Sequence, residues 1–330
     1  MQSRKNLKGE VRFRKAVFQQ DLGKIRLDGW YTREQVREII RDRVNYVSSI
    51  YMRVMRDRPD LDPVLELAAG RCQLSSMLTS MFDARVYATD ISFEALDSAA
   101  FFCDLLGFSA TPIRVQCNIE KLPFRDNSFK HVLIWASLHH FQDPTDVLLE
   151  ARRVLANQGT LFIGGEPIRP FFQLPLFKSD RENPSLILRL LWKLGISPFF
   201  TYDSPLEEDY GIVENSFTAN QWRRFLSRFG QIIECDISTN DAPRFLNNRV
   251  SARILASIFG GSIDFALLRV NKNNGVLDRR LDLICRNCEN KTILLRTDSG
   301  SLLCPTCNKL YPIRNGIITI LSDDDENAIN

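Results

Sequence analysis

No stretch of this sequence has the ~20 consecutive apolar residues that a membrane-spanning helix requires. The richest one, Leu186 to Phe200, is interrupted by Arg189 and Lys193. Met1 to Lys8 is polar and charged with no apolar run behind it, so no secretory leader is read there. Internal repeats and low-complexity tracts are absent. Excess charge of one sign is missing as well, and a net charge of +3 decides little about partners. The cysteines lack the pattern of a disulfide framework. Of eight, Cys72, Cys103, Cys117 and Cys235 are scattered, and the other four stand in two pairs near the end. That is a metal pattern in a reducing compartment. Together these absences predict a cytoplasmic protein with no membrane span.

What is there is a chain too long for one small domain and apolar enough for a sizeable core, with 330 residues of which 44% are hydrophobic. Charge is uneven along it. Met1 to Asp60 carries 15 Lys/Arg against 8 Asp/Glu, and the tail carries Asp323, Asp324, Asp325 and Glu326. A basic start suits an anionic partner such as nucleic acid, a phosphorylated carrier or a membrane surface, and equally a solvated helix face.

The organising stretch is Val64-Leu65-Glu66-Leu67-Ala68-Ala69-Gly70-Arg71-Cys72. It reads as a short buried strand ending in an acidic residue, then a turn of small residues, then a helix from Gln73 to about Phe82. A small turn lets backbone approach a ligand at a helix N-terminus. About twenty residues on, Ala84 to Thr89 gives a second strand ending in Asp90, a carboxylate able to accept from both hydroxyls of a ribose. Further strands follow at Ile113–Cys117, Val132–Ala136 and Thr160–Ile163, with helices at Phe93–Leu106 and Asp146–Leu155. Such alternation predicts a doubly wound, mostly parallel sheet with helices on both faces.

Five motifs in order, from Val64 to Glu166, resemble the class I S-adenosylmethionine-dependent methyltransferases, in particular their small-molecule branch. They are the glycine turn, the acidic end of the second strand, Asn118-Ile119-Glu120 with Leu122-Pro123-Phe124, Phe129 to Leu138-His139-His140, and Glu150-Ala151-Arg152-Arg153-Val154-Leu155-Ala156-Asn157-Gln158-Gly159. The resemblance implies a Rossmann-like, seven-stranded sheet and S-adenosyl-L-methionine as cofactor. Its cofactor-binding positions fall on Glu66, Ala68, Gly70, Asp90, Ile91, Asn118, Ile119 and Ala136. Glu66 would order the turn or reach the donor's amino group, Asp90 would take the ribose, Ile91 would pack on the adenine, and Asn118 and Ile119 would read its edge. Ala136 would touch the methionine moiety. The chain departs from the family at Ala68 and Cys72, which replace the outer two glycines, at Asn118, which replaces an aspartate, and at Lys130, where the family has "F-D". Tyr87 and Trp135 read as core aromatics.

Outside the core, Met1 to Trp30 has mixed charge, three glycines and little periodicity, and is expected to be loosely held. Thr32 then reads as an N-cap, with Gln35 completing a capping box, for a helix whose apolar positions run from Val36 to Met55. Residues 168–212 are rich in proline and aromatics and follow the fifth strand, so they read as a lid or acceptor-binding insert, or as a dimer interface. Phe217 to Phe229 reads as a helix capped by Thr218. Gln231–Ile237 and Ile263–Val270 read as closing strands, with a helix within 240–261. The expected units are an N-terminal helical segment at 1–60, a methyltransferase domain at 61–272 and a zinc-binding unit at 273–330.

In that last unit Cys285-Arg286-Asn287-Cys288 and Cys304-Pro305-Thr306-Cys307 are separated by fifteen residues, the spacing of a structural four-cysteine zinc site. Such a site is closed to substrate, so zinc chemistry is not expected. Tyr311-Pro312-Ile313-Arg314-Asn315-Gly316-Ile317-Ile318 follows. It resembles the zinc ribbon of the activator of tRNA and release-factor methyltransferases, with Ile318 in place of a proline. The resemblance implies that a service supplied elsewhere by a separate chain is supplied here in cis.

The donor methyl rides on an already activated sulfonium, so holding and alignment come before acid–base chemistry. His139, His140 and Glu166 stand at the edge of the expected site and are the candidate catalytic groups. Three functions stay open: methyl transfer to a small or carrier-linked acceptor, methyl transfer to tRNA or rRNA, and a non-catalytic zinc-ribbon adaptor on a degenerate methyltransferase fold. An "N-P-P-Y" motif of amide- or base-nitrogen methylation is absent; Ala136-Ser137-Leu138-His139 stands there.

Overall fold

The computed structural model describes the chain except residues 1, 19–24, 27–29, 32, 56–60, 83, 173, 175, 179–184, 195–196, 203–208, 213–214, 240–248, 274, 279, 289–290 and 330. The expected cap at Thr32 lies outside the described residues.

Two helices precede the sheet, α1 (Gln2–Phe18) and α2 (Arg33–Met55). In α2 the spacing of Ile40, Val44, Val47, Ile50 and Val54 puts one buried stripe against the sheet, while Arg37, Arg41 and Arg43 stay in solvent. Helix α1 corrects the expectation of loosely held structure. Its Phe13 is buried against Tyr210 and Ile212. Gly9, which reads as a breaker, is the contact point: a Cβ there would lie 2.7 Å from the Tyr210 carbonyl oxygen. The glycine that lowers helix propensity lets the helix approach its neighbour.

The central unit alternates as expected. Strand β1 (Val64–Leu67) leads through α3 (Gln73–Phe82) to β2 (Val86–Asp90). The expected helix at 93–106 is two helices, α4 (Phe93–Asp97) and α5 (Ala99–Leu106). They meet at Ser98, whose hydroxyl bonds back to the Ala95 carbonyl at 2.6 Å and competes with continued helix. Then come β3 (Ile113–Gln116), β4 (Phe129–Trp135), α6 (Thr145–Val154) and a long β5 (Leu155–Ile168). In the 168–212 insert, α7 (Leu186–Lys193) leaves Leu186, Ile187 and Leu190 exposed, and Phe171 and Phe172 are exposed as well. Helix α8 (Ala219–Phe229) begins at the Thr218–Gln221 capping box. Strand β6 (Gln231–Thr239), helix α9 (Arg249–Phe259) and strand β7 (Gly261–Arg269) close the unit.

Among the described residues the sheet holds nine strands, two more than expected. Its order is β6–β7–β5–β4–β1–β2–β3–β9–β8, where β8 (Ile313–Arg314) and β9 (Ile317–Thr319) come from the C-terminal segment. Strands β1 to β5 are mutually parallel, β7 runs antiparallel to β5, and β6 runs antiparallel to β7. The chain reverses direction of growth between β1 and β4, the switch point where such sheets bind ligands. Strand β9 pairs parallel to β3 through Ile317–Arg114, Ile318–Val115 and Thr319–Gln116, covering what would be an exposed edge. The C-terminal segment also shares the core, since Leu281, Cys285, Leu302, Tyr311 and Ile320 pack in one cluster with Val115, Phe124 and Phe129. Strand β1 is buried on both faces, as parallel central strands are, with Glu66 its one polar residue.

Candidate active site and metal centre

The turn after β1 keeps the backbone of a glycine turn without its outer two glycines. Ala68, Gly70 and Cys72 all have left-handed φ, at +50°, +52° and +56°. For Ala68 and Cys72 that conformation costs about 1 kcal/mol each. Neighbouring bonds hold it: Ala69 N–H to the Thr89 carbonyl at 2.8 Å, and Gly70 N–H to Asp90 Oδ2 at 2.8 Å. Cys72 is buried, so its side chain also anchors the turn from below.

Two buried carboxylates organise this corner. Glu66 accepts from Ser75 N–H at 2.9 Å and so satisfies an otherwise unpaired donor in the first turn of α3. Burial pushes the Glu66 carboxyl up to about 7, with Ser75 opposing and nearby Asp90 adding to the rise. Asp90 is clamped on both oxygens, by Gly70 N–H and by Ser92 N–H at 2.9 Å. Each oxygen keeps a lone-pair direction for a further donor. Burial raises the Asp90 carboxyl and nearby Arg14 opposes the rise.

A cavity of about 70 Å³ lies over the switch point, lined by Ala68, Asp90, Ile91, Asn118, Ile119 and His140, and roofed by Leu7, Glu10 and Arg14 of α1. Five of the twelve lining residues, Ala68, Asp90, Ile91, Asn118 and Ile119, are expected cofactor residues, and they come from three different strand ends. Glu66 and Gly70 lie behind the wall, and Ala136, with φ +49°, leads into Ser137 of the lining. Glu10 and Arg14 form a 2.7 Å ion pair; burial disfavours the Glu10 charge, but Arg14, with His140 and His139, holds the carboxyl below its usual range. A wider depression of about 920 Å³ lies at the other end of the strands, lined by residues such as Lys130, Asn157 and Arg269. It is remote from the switch point, and its size does not make it the site.

The loop after β4 is built around Glu166. That carboxylate is fully buried and accepts from Ser137 N–H at 2.9 Å, Leu138 N–H at 2.9 Å, His139 N–H at 3.1 Å and His139 Nδ1 at 2.9 Å. It lies beneath the loop and outside the cavity lining, so its position differs from the acceptor-facing one expected for it. His140 lines the cavity, and its ring centroid is 4.3 Å from that of His139. Tyr87 packs on Phe124 and Phe129, and Trp135 stacks on Phe162, as core aromatics.

The four paired cysteines converge, with all four sulfurs within 4.8 Å of one another. Cys285 and Cys307 sulfurs are 3.6 Å apart, and those of Cys288 and Cys304 are 3.8 Å apart. A tetrahedral ion with 2.3 Å metal–sulfur bonds separates its sulfurs by about 3.8 Å. Asn287 N–H donates to Cys285 Sγ at 3.3 Å, and the Tyr311 hydroxyl lies 3.1 Å from it. Both are the outer-shell contacts that a thiolate ligand uses. The donor set and its spacing fit zinc.

One residue near the site carries no sequence motif of the methyltransferase fold. Asp325, in the C-terminal helix α10 (Asp323–Ile329), is buried and bonds the Asn118 amide at 2.9 Å. Within a run of acids it reads as solvated tail, whereas the pattern Ser322-x-x-Asp325 was the available signal for a capped helix.

Residues 65–163 match the family described as methyltransferase domain. A curated relative is the mitochondrial arginine-hydroxylase NDUFAF5 of Danio rerio, 27% identical over 160 residues, which are 46% of this chain and 44% of that protein. The chain thus spans less than half the length of that relative. Similar solved structures include magnesium protoporphyrin IX methyltransferase (ChlM) from Synechocystis PCC 6803 with bound SAH, 14% identical over 82% of this chain and 98% of that one, TM-score 0.45. Another is a complex of the Haloferax volcanii Trm112 methyltransferase activator with a methyltransferase, 16% identical over 72% and 95%, TM-score 0.43. The matched stretch and the strand order around it define a class I S-adenosylmethionine-dependent methyltransferase domain. Among the described residues, no helix is long and apolar enough to cross a membrane.

Proposed function

We propose that the protein transfers a methyl group from S-adenosyl-L-methionine to a small or carrier-linked acceptor, with a zinc ion holding the C-terminal unit. The observation that carries this reading is the convergence of Ala68, Asp90, Ile91, Asn118 and Ile119 on one cavity at the switch point of the sheet. The cofactor supplies a sulfonium-activated methyl group. The chain's own residues do the rest. Asp90 accepts from the ribose hydroxyls, Ile91 packs on the base, and Asn118 meets its amino edge. Glu66 and the turn at 68–72 support the amino-acid end, and Arg14 of α1 lines the same cavity. Helix α1 roofs the site, and the present 70 Å³ is well under the roughly 300 Å³ at which ligand pockets begin, so α1 moves when the cofactor enters.

For proton transfer, His139 is the group the loop is built to hold. With Nδ1–H donated to Glu166, its Nε2 is the acceptor nitrogen, and Glu166 is the positioning residue behind it. His140 is the histidine that lines the cavity. The apolar residues exposed on the 168–212 insert favour an acceptor with an apolar portion, or a dimer contact there. A second reading comes from the relative's name, since arginine hydroxylation has been assigned to a chain with this domain. The test is incubation of the protein with isotopically labelled S-adenosyl-L-methionine and cell extract, followed by mass spectrometry. A product carrying the labelled methyl group supports the proposal. A product carrying only an added oxygen replaces it with the second reading.

A further inference from the structure

The cofactor reading leaves one substitution unaccounted for: an amide, Asn118, stands where the family pattern has a carboxylate. The structure assigns a counterpart. We infer that Asp325 of the C-terminal unit is a positioning residue for the adenine subsite, so that the ribbon contributes directly to cofactor selection through Asn118.

Ser322 caps α10, and Asp325 closes the cap reciprocally. Asp325 N–H donates to Ser322 Oγ at 3.2 Å, while Ser322 O–H and N–H donate to Asp325 Oδ2 at 2.6 and 3.2 Å. One carboxylate oxygen is thereby engaged and the side chain is fixed. The other oxygen, Oδ1, accepts from Asn118 Nδ2 at 2.9 Å in a buried, charge-assisted bond. On its other side Asn118 Oδ1 accepts from Glu120 N–H at 2.9 Å. The amide is therefore gripped at both ends, and its oxygen is turned away from Asp325. That side chain is 5% exposed and lines the cavity together with Ile119. An amide oxygen held this way offers its remaining lone pair to an exocyclic amine, as an aspartate would. The 6-oxo group of hypoxanthine, an acceptor, meets repulsion there. Removing Asp325 leaves Nδ2 as a buried donor without its acceptor, and the amide turns to find another.

Strand β9 and α10 hold Asp325 in register. Ile320 N–H bonds the Gln116 carbonyl at 2.8 Å and the Thr319 hydroxyl lies 3.0 Å from Gln116 Oε1, two residues before Asn118. Lys309 ties Asp323 and Glu326 of α10 to the ribbon. Helix α10 also packs against α1, the roof of the cavity.

The inference rests on the cofactor reading and is tested apart from it by calorimetric titration of the full-length, zinc-loaded protein with S-adenosyl-L-homocysteine and S-inosyl-L-homocysteine. The wild type binds the adenosyl compound and prefers it. Asp325→Ala lowers that affinity by roughly fivefold to thirtyfold, the effect of one misdirected buried hydrogen bond, and shrinks the preference. The exchange N118D/D325N restores both, because the amide at 325 accepts from Ser322 and donates to the carboxylate at 118. The preference is a ratio, so it does not move if a variant merely loses folded fraction. An Asp325→Ala protein with unchanged affinity and preference, or an exchange that restores neither, overturns the inference. A wild type that binds neither compound overturns the cofactor reading, and the inference falls with it.

Discussion

Glu66 makes stability depend on pH in the direction opposite to most carboxylates. In the unfolded chain it ionises near an ordinary 4.5; in the fold, burial moves this to about 7. Between those values the folded state holds a proton that the unfolded state has released. The group's contribution therefore falls as pH rises through 4.5 to 7 and is flat on either side. The displacement corresponds to about 3 kcal/mol against folding at neutral pH. Glu66→Gln keeps an acceptor for Ser75 N–H and removes the ionisation. Denaturant unfolding of the two proteins at pH 4 and pH 7.5 isolates the effect, because groups with lowered values such as Asp62 and Asp126 are common to both and cancel. The variant should match the wild type at the lower pH and exceed it by up to about 3 kcal/mol at the higher. Equal stability at both pH values refutes the reasoning. The same proton has a functional readout. A cofactor ammonium group near Glu66 favours its charged form, so binding near pH 6 should release a proton, detected as a dependence of binding enthalpy on the buffer.

Other outcomes follow from the same contacts. Glu166→Gln loses one oxygen of a carboxylate with four donors; it should destabilise the protein by roughly 2–3 kcal/mol and shift the pH profile of turnover, which a structural lesion alone would not move. Cys285→Ser should reduce bound metal from one zinc per chain and lower the melting temperature by about 5 °C or more, because β9 and the shared core depend on that unit. An intact, fully stable variant would contradict the role given to the ribbon. Saturating S-adenosyl-L-homocysteine should change hydrogen exchange in residues 7–16 of α1; unchanged exchange there would mean that α1 is not a lid.

Much of the fold was legible because its signals are local. The run Val64–Leu67, the small turn and the alternation of strands and helices each follow from short windows. The capping box at Thr218 was readable for the same reason. What was not legible depends on distant partners. The pairing of Ile317–Thr319 with β3 joins residues some two hundred positions apart, and nothing within either strand specifies it. Helix α1 was hidden because Gly9 lowers helix propensity, and the reason for a glycine there, contact with Tyr210, is tertiary. The retained left-handed turn at Ala68 and Cys72 runs against their intrinsic preference and is imposed by Asp90 and Thr89. Glu166 lies near the end of β5, and the four donors that surround it come from a loop whose path the sequence does not encode locally. The convergence of the four cysteines was readable from spacing alone.

The most direct test of the account is calorimetric titration of S-adenosyl-L-methionine into the full-length protein and into Asp90→Ala. The account predicts one site per chain of micromolar strength, lost in the variant, because Asp90 both receives the ribose and holds the Gly70 turn. Absence of binding by the wild type, or binding that Asp90→Ala leaves intact, would contradict it.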